Sequence, residues 1–208
     1  MNFNTYFSKQ AKEPFGWFGK IIMSKVFDYG NTFLNTFMLE VLALKENDHI
    51  LEIGFGTGKL IFNMAKLINS GVIEGIDISN TMLVMAKKKN KKHIDTGKVI
   101  INQGDFENFT YNDNSFDKIC SSNTIYFWQN PDNFIKKIQR ILKPGGKVVL
   151  AFEDKEQLEK RTLDSEIFKF YDLDEIVNLF KINGLDKDIN IFTREKGPQK
   201  FHCAVAFK

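Results

Sequence analysis

The sequence is poor in the residues that cross-link small proteins or hold metal ions. Its 208 residues include 2 Cys, 3 His and 4 Pro. Cys120 and Cys203 both lie in apolar, strand-like runs, so we expect two buried thiols in a reducing compartment. The three histidines stand at positions 49, 93 and 202, and no group of residues has metal-ligand spacing. The composition therefore indicates neither a disulfide scaffold nor a metal site.

Long apolar runs and a strong net charge are also missing. The N-terminal segment has no signal-peptide core, and no run reaches the roughly 20 apolar residues that a membrane span needs. The net charge is +3, which is too small to indicate a nucleic-acid partner. The densest basic run, residues 87–92, falls at the end of a predicted helix, where cations suit the helix dipole; an anionic partner site is the alternative. We expect a cytoplasmic protein with no stable membrane insertion and no nucleic-acid partner.

From residue 48 onward, strand-like and helix-like segments alternate. Strands are predicted over residues 49–53, 72–77, 98–102, 116–121, 147–152, 189–194 and 201–207. Helices are predicted over residues 57–68, 80–91, 133–142 and 172–183. Continuous apolar strands suit a sheet covered on both faces, and repeated strand–helix–strand units imply parallel strands. The short link at 195–199 predicts a hairpin between the last two strands. The sequence therefore predicts a doubly wound, Rossmann-like α/β fold.

The first 45 residues differ in character from the rest. Apolar residues at three- or four-residue steps predict helix over residues 19–44 with a break at Gly30, and several aromatic residues precede it. The segment either packs against the sheet edge or a neighbouring helix, or forms a lid over the ligand and one wall of the substrate pocket. An amphipathic membrane contact is the least favoured alternative. We divide the chain into a helical leader or lid (1–45) and a main domain (46–208).

The most informative segment directly follows the first predicted strand. It reads E-x-G-x-G-x-G over residues 52–58. The dinucleotide fingerprint G-x-G-x-x-G does not fit, because the third glycine comes one residue early. A P-loop does not fit either, because Ile53 and Leu60 stand where it needs Gly and Ser or Thr. A ligand can lie against such bare backbone, and N–H groups at the following helix start can bind its negative end.

A carboxylate ends the second predicted strand, at the edge where parallel sheets bind their ligands. Asp77 lies 19 residues beyond the last glycine of the turn. Its carboxylate can accept hydrogen bonds from both hydroxyls of a ribose. The alternative role is a helix N-cap, which Ser79 or Asn80 would fill equally well.

A second carboxylate follows the third predicted strand. Asp105 stands beside Phe106, which suits an adenine whose amine meets the carboxylate and whose ring meets the phenyl group. The alternative is an ordinary turn. Ile78 and Met82 can flank the adenine from the other side, although a core position for Met82 competes with this.

Two further patterns complete an ordered set. F-D-x-I stands at 116–119 and L-K-P-G-G at 142–146, after G-x-D at 75–77 and G-D at 104–105. Together with the glycine turn, these patterns resemble the class I S-adenosylmethionine-dependent methyltransferases across about residues 45–208. The resemblance implies an enzyme that uses S-adenosylmethionine. It also implies a seven-stranded, mostly parallel sheet in the order 3-2-1-4-5-7-6, with the last strand antiparallel.

The same resemblance implies which residues bind the cofactor. Those assigned to its methionine end are Glu52, Gly54, Phe55, Gly56 and Gly58. Asp77 takes the ribose, and Asp105 with Phe106 takes the adenine. Asn123 lies where such enzymes offer a backbone carbonyl to the cofactor and a side chain to the substrate. Carboxylates, carbonyls and aromatic faces help to hold a sulfonium cation.

Two segments are similar to a subset of small bacterial methyltransferases. They are Q-x-x-x-P-x-G-x-x-G over residues 10–19 and N-T-I-Y-F-W over residues 123–128. The resemblance implies that the leader folds over the cofactor, so that Tyr6 or Trp17 touches a ligand. We interpret Tyr126 and Trp128 as walls of the substrate pocket, with structural packing as the alternative.

The segment 123–128 also bears on the substrate. It contains no His, Asp or Glu that could act as a general base, so no catalytic residue is assigned. It lacks the Asp/Asn-Pro-Pro-Tyr/Phe pattern of enzymes that methylate amino groups of DNA bases. We predict a methyltransferase for a small apolar or aromatic molecule, with O, N, C and S all open as the acceptor atom. The alternatives are a cofactor-binding sensor or partner subunit without turnover, and a methyltransferase acting on protein or nucleic acid.

Overall fold

A computed structural model describes residues 3–208, and its centre is a seven-stranded sheet. The strands are β1 (His49–Ile53), β2 (Val72–Asp77), β3 (Val99–Gln103), β4 (Phe116–Ser122), β5 (Leu142–Glu153), β6 (Lys187–Lys196) and β7 (Gln199–Phe207). They follow the order β3-β2-β1-β4-β5-β7-β6. Neighbours among β1 to β5 are parallel, whereas β7 is antiparallel to β5 and β6. The predicted α/β fold and strand order are confirmed.

Helices cover the sheet and form most of the leader. They are α1 (Phe3–Lys12), α2 (Gly16–Phe18), α3 (Ser24–Gly30), α4 (Thr32–Leu42), α5 (Lys59–Met64), α6 (Asn80–Asp95), α7 (Pro131–Ile141), α8 (Lys155–Glu159) and α9 (Leu173–Ile182). A π-helical stretch, Gly19–Met23, joins α2 to α3. The expected break falls at the end of α3, where Asn31 separates α3 from α4. Residues 1–2 of the predicted leader lie outside the described part of the chain.

Local signals set several of these boundaries. The side chain of Asp172 caps α9 in a capping box with Glu175, which fixes the start of that helix. Helix α5 is shorter than the predicted 57–68, while α6 continues beyond the predicted end at 91. The L-K-P-G-G segment at 142–146 forms a bulge inside β5, because the pairing with β4 shifts register there and Gly145 takes a φ of 77°.

Two apolar clusters pack against opposite faces of the sheet. Alternate residues of β1 enter different clusters: Leu51 packs on the side of α7 and α9, and Ile50 on the side of α4, α5 and α6. Cys120 and Cys203 are buried and free in the second cluster, in agreement with the predicted buried thiols. Among residues 3–208, no helix combines the length and apolar character that crossing a bilayer requires. The double-sided core fixes the strand ends on which the site is built.

Candidate functional site

A cavity of about 260 Å³ opens at the carboxyl ends of β1, β2 and β4. Its walls are the turn after β1, the end of β2, the loop after β3, the segment after β4, and the leader helices. The residues predicted to bind cofactor or substrate that line it are Glu52, Gly54, Phe55, Gly56, Asp77, Ile78, Met82, Asp105, Phe106, Asn123 and Trp128. Parts of the sequence more than 100 residues apart thus meet at one concave site.

The glycine turn is folded tightly against β2. Gly54 takes a φ of 76°, and its N–H donates to the carbonyl of Ile76 over 2.7 Å. A Cβ added at Gly54 would stand 2.3 Å from Cγ2 of Thr124, so the site excludes a side chain by space as well as by φ. The N–H of Gly56 donates to Oδ2 of Asp77 over 2.8 Å. The turn therefore presents bare backbone to the cavity.

Gly58 has a different role from the other two glycines. It does not line the cavity, and its φ is 72°. A Cβ there would lie 2.7 Å from Cβ of Ala86 and 2.7 Å from Nδ2 of Asn90, both on α6. Its missing side chain thus lets α6 pack closely against the turn.

Glu52 supplies a buried carboxyl group at the floor of the cavity. Its Oε2 has no hydrogen-bond partner among the described residues. Burial raises the pKa of Glu52 well above its usual range, and the nearby charge of Asp77 raises it further. A buried, unpaired oxygen of this kind is costly unless a ligand supplies a donor.

Asp77 is half-buried at the end of β2. Its carboxylate accepts the N–H of Gly56 over 2.8 Å and the N–H of Ser79 over 2.9 Å. Burial raises the pKa of Asp77 to about 6, although these two hydrogen bonds act in the opposite direction. The N-cap of α6 is Ser79, whose Oγ accepts the N–H of Met82 over 3.3 Å. Asp77 is therefore not needed as a cap and keeps free lone pairs at the cavity wall.

The loop after β3 forms the opposite rim. Asp105 is exposed there, and its oxygens accept the N–H of Glu107 over 3.0 Å and Nδ2 of Asn108 over 3.1 Å. Lys137 of α7 donates to three carbonyls of this loop, those of Phe106, Glu107 and Phe109. This single ammonium group holds the loop in place from behind.

Aromatic rings make the wall beneath that rim. Trp128 stacks on Phe134 with ring centroids 4.4 Å apart and planes 14° from parallel. Phe134 in turn contacts Phe106 at 5.2 Å. Ile78 is half-buried and Met82 fully buried, and both border the cavity. The wall can thus accept a flat, apolar group.

Asn123 connects the strand ends to the leader. It takes a left-handed φ of 54°, and its Nδ2 donates to Oδ1 of Asn31 over 3.0 Å. The hydroxyl of Tyr126 donates to Oδ1 of Asn123 over 3.1 Å and accepts the N–H of Glu153 over 2.7 Å. Tyr126 is buried behind the wall and does not line the cavity, so it orients Asn123 from outside.

The leader forms a turn over the cavity, and hydrogen bonds and close packing hold this turn in place. The buried side chain of Gln10 donates to the carbonyl of Phe15 over 3.1 Å and accepts its N–H over 3.0 Å. Gly19 fits against Pro14 and Gln10, where a Cβ would come within 2.9 Å of both. Ser79 donates to the carbonyl of Pro14 over 2.5 Å. These contacts explain why Gln10, Pro14 and Gly19 occupy their positions in the Q-x-x-x-P-x-G-x-x-G pattern.

A charged cluster, here called the latch, fastens α3 to the glycine turn. Asp28 forms an ion pair with Lys89 of α6, whose Nζ lies 3.1 Å from both carboxylate oxygens, and accepts a hydrogen bond from Thr57. Lys59 donates to the carbonyl of Asp28 over 2.6 Å and to Thr32 over 2.8 Å. The latch joins residues of the leader to both helices that follow the turn.

Sequence reasoning missed most of the leader's contribution to the cavity. The leader residues that line it are Ala11, Lys12, Pro14, Phe27, Asp28, Asn31 and Asn35. The one available signal was the spacing of Asn31 and Asn35, polar residues one turn apart that lie next to buried positions such as Leu34 and Met38. Conversely, Tyr6 and Trp17 do not line the cavity: Tyr6 packs on Phe15 and Phe18, and Trp17 is 69% exposed.

The chain is similar to known methyltransferases in sequence and in fold. A family model described as "Methyltransferase domain" matches residues 51–150. The uncharacterized methyltransferase YdaC of Bacillus subtilis is 32% identical over 178 residues, which cover 86% of this chain and 93% of YdaC. A demethylmenaquinone methyltransferase of Lactobacillus johnsonii is 34% identical over 108 residues, or 51% of this chain and 44% of that protein. The crystal structure of a SAM dependent methyltransferase from Aquifex aeolicus has the same fold, with a TM-score of 0.72 at 21% identity over 89% of this chain and 97% of that one.

Proposed function

This chain belongs to the class I S-adenosylmethionine-dependent methyltransferases, and we propose that it transfers the methyl group of S-adenosylmethionine to a small apolar or aromatic molecule. One observation carries the proposal: a bare-backbone turn, two carboxyl groups and an aromatic wall line one cavity beneath the leader. When bound, the cofactor supplies a methyl group that its sulfonium has already activated. The protein's own work is then to bind, to orient and to exclude water.

We propose that the two ends of the cavity hold different parts of the cofactor. Asp77 accepts hydrogen bonds from the ribose hydroxyls, and Asp105 with Phe106 receives the adenine. Glu52, with its unpaired Oε2, accepts hydrogen bonds from the methionine end beside the glycine turn. The buried orphan oxygen and the side-chain-free turn are the features that fit the group.

The acceptor is proposed to bind between Asn123 and the leader. Three uncharged polar side chains lie there. Asn35 is buried and lines the cavity, and Ser122 has a buried Oγ that no other described residue contacts by a hydrogen bond. Asn31 uses its Oδ1 for Asn123 and keeps its Nδ2 available. Such groups can orient an oxygen or nitrogen of an otherwise apolar molecule without a formal charge.

Two further observations support a small acceptor. The leader covers the cavity, which favours a molecule that can be enclosed rather than a folded protein or a nucleic-acid duplex. One relative bears a name that specifies a demethylated menaquinone as its substrate. In this proposal residues 1–45 form the lid and residues 46–208 the methyltransferase domain.

The test begins with the cofactor alone. Calorimetric titration with S-adenosylmethionine should show binding, and the Asp77→Ala variant should lose most of the affinity while its circular dichroism spectrum is retained. An affinity for Asp77→Ala within about twofold of the unmodified protein would contradict the ribose assignment.

The acceptor is tested by methyl release over a panel of small aromatic and apolar molecules, with total protein and nucleic acid as parallel substrates. Turnover on a small molecule supports the proposal. Cofactor binding without turnover on any pool would favour a sensor or partner subunit, and labelling of protein or nucleic acid alone would identify a macromolecular substrate.

A further inference from the structure

The outer surface of the leader concentrates apolar side chains in solvent. Of the eleven large apolar residues exposed in residues 3–208, six lie between positions 3 and 29. They are Phe3, Phe15, Trp17, Ile22, Val26 and Tyr29. Scattered exposed apolar residues are normal, but a cluster on one segment indicates an interaction surface.

Helical geometry places part of this cluster on one face. Ile22, Val26 and Tyr29 follow a spacing of four and then three residues, so their side chains lie on the same side of the helix. Tyr29 is 80% exposed and Val26 is 43% exposed. Trp17 lies in α2, five residues before Ile22 and just ahead of the π-helical stretch, and is 69% exposed. We call Trp17, Ile22, Val26 and Tyr29 the leader face.

Basic residues accompany the leader face and acidic ones do not. Lys20 and Lys25 are exposed on the same segment, and neither has a carboxylate partner among the described residues. Asp28 is the one acidic residue between positions 15 and 30, and the latch holds it against Lys89. That ion pair also brings α6 beside the leader, and α6 carries Lys87 and Lys88 on its exposed side.

We propose that the leader face docks on the surface of an anionic lipid bilayer. Trp and Tyr are the side chains that favour the headgroup level of a membrane, and lysines flanking them are attracted to anionic headgroups. Charge decides against a second copy of this chain as the occupant, because two leader faces brought together would oppose lysine to lysine.

Docking would place the entrance of the cavity next to an apolar phase. The leader that bears the face outside also lines the cavity inside, through residues such as Phe27 and Asn31. An apolar acceptor could therefore reach the site from the bilayer without crossing water. This consequence rests on the proposed function, whereas the docking itself does not.

Vesicle sedimentation tests the docking. The full chain should bind vesicles that contain phosphatidylglycerol at least about tenfold more tightly than vesicles of phosphatidylcholine alone, and added salt should weaken the binding. Lys20→Gln with Lys25→Gln should weaken it about 25-fold, about fivefold for each lysine removed. Val26→Ser with Tyr29→Ser should weaken it at least about tenfold.

Matched controls come from exposed residues elsewhere. Ile182→Ser with Phe192→Ser, and Lys136→Gln with Lys181→Gln, should leave vesicle affinity within about twofold. The chain has 2 Trp, and Trp128 is buried. A blue shift of fluorescence on vesicle addition should therefore come from Trp17 and vanish in Trp17→Phe.

Each outcome decides the matter when cofactor titration is run on the same samples. Protein that binds S-adenosylmethionine but ignores both kinds of vesicle overturns the docking alone, as does equal binding to neutral and anionic vesicles. In another outcome, light scattering shows a dimer that only Val26→Ser with Tyr29→Ser disrupts. If the unmodified chain also fails to bind vesicles, a second copy of the chain is the occupant of the leader face. Docking without cofactor binding would contradict the proposed function and leave this inference standing.

Discussion

The two sides of the cavity are built in different ways. The strand-end side uses residues between positions 52 and 106, which lie at the ends of β1 and β2 or in the segments that directly follow β1, β2 and β3. The leader side depends on partners far away in the sequence, such as Asp28 with Thr57 and Asn31 with Asn123, which are 92 positions apart. The strand-end side can therefore be predicted from short-range sequence spacing, whereas the leader side depends on tertiary packing.

The largest effect is expected at the glycine turn of the strand-end side, where Gly54 packs against Thr124 of the segment after β4. Gly54→Ala should lower the free energy of unfolding by about 2–4 kcal/mol and weaken cofactor binding, because the new Cβ meets Cγ2 of Thr124 and φ is positive. Chemical denaturation and cofactor titration measure both effects.

Two controls separate the causes at Gly54. Thr124→Ser removes Cγ2, so the double variant should recover most of the loss that the clash produces. Gly97→Ala has a φ of 74° and open space around its Cβ position, so it should show the smaller cost of φ alone, about 1–2 kcal/mol. Equal losses in Gly54→Ala and Gly97→Ala would rule out the clash.

A smaller effect is expected at Tyr126, which lies behind the cavity wall and holds Asn123, the residue that contacts the leader. Tyr126→Phe should lower the free energy of unfolding by about 1–3 kcal/mol, because the N–H of Glu153 and Oδ1 of Asn123 lose their partner. Tyr171→Phe is the matched control, since the hydroxyl of Tyr171 is buried with no hydrogen-bond partner in residues 3–208 and its removal should cost nothing. Thermal melts measure both variants. Equal decreases in melting temperature would contradict the role given to the Tyr126 hydroxyl.

The strand-end side should respond to pH. Since burial raises the pKa of Asp77 to about 6, cofactor affinity should hold above about pH 7, fall to about half at pH 6, and be about tenfold lower at about pH 5, as the carboxylate acquires a proton. The free energy of unfolding without cofactor should move the opposite way. A raised pKa means that the folded state binds the proton more tightly, so this contribution is present at low pH and is lost as pH rises through about 6. Asp77→Asn should remove both the loss of cofactor affinity at low pH and the loss of unfolding free energy as pH rises through about 6.

The smallest effect is expected from the latch. Asp28→Ala should weaken cofactor binding about fivefold through faster release, which is the roughly 1 kcal/mol typical of a partly exposed ion pair. Lys91→Ala is the control, because its exposed pair with Asp95 lies within α6 alone. Stopped-flow measurements give the rate of cofactor release. If the two variants release the cofactor at the same rate, the latch has no role in closing the site.

The limits of sequence reasoning follow from the same comparison. The glycine turn, Asp77 and Asp105 were accessible because strand ends in a parallel sheet converge by rule. Gly58 does not line the cavity, and the space that its missing side chain leaves is occupied by α6. The resemblance implies that Trp17 touches a ligand, and Tyr126 is interpreted as a pocket wall, yet Tyr126 lies behind the wall and Trp17 is 69% exposed outside the cavity. The tertiary packing of the leader and of the segment after β4 decides such cases.

One hydroxyl group ties the leader to the first turn of α6. Oγ of Ser79 donates to the carbonyl of Pro14 while it accepts the N–H of Met82, a residue that borders the cavity. Any lifting of the leader must change the partner of that oxygen. Exchange of the Met82 amide proton with deuterated solvent should therefore report transient opening of the leader over the cavity. This measurement does not require that the acceptor be known.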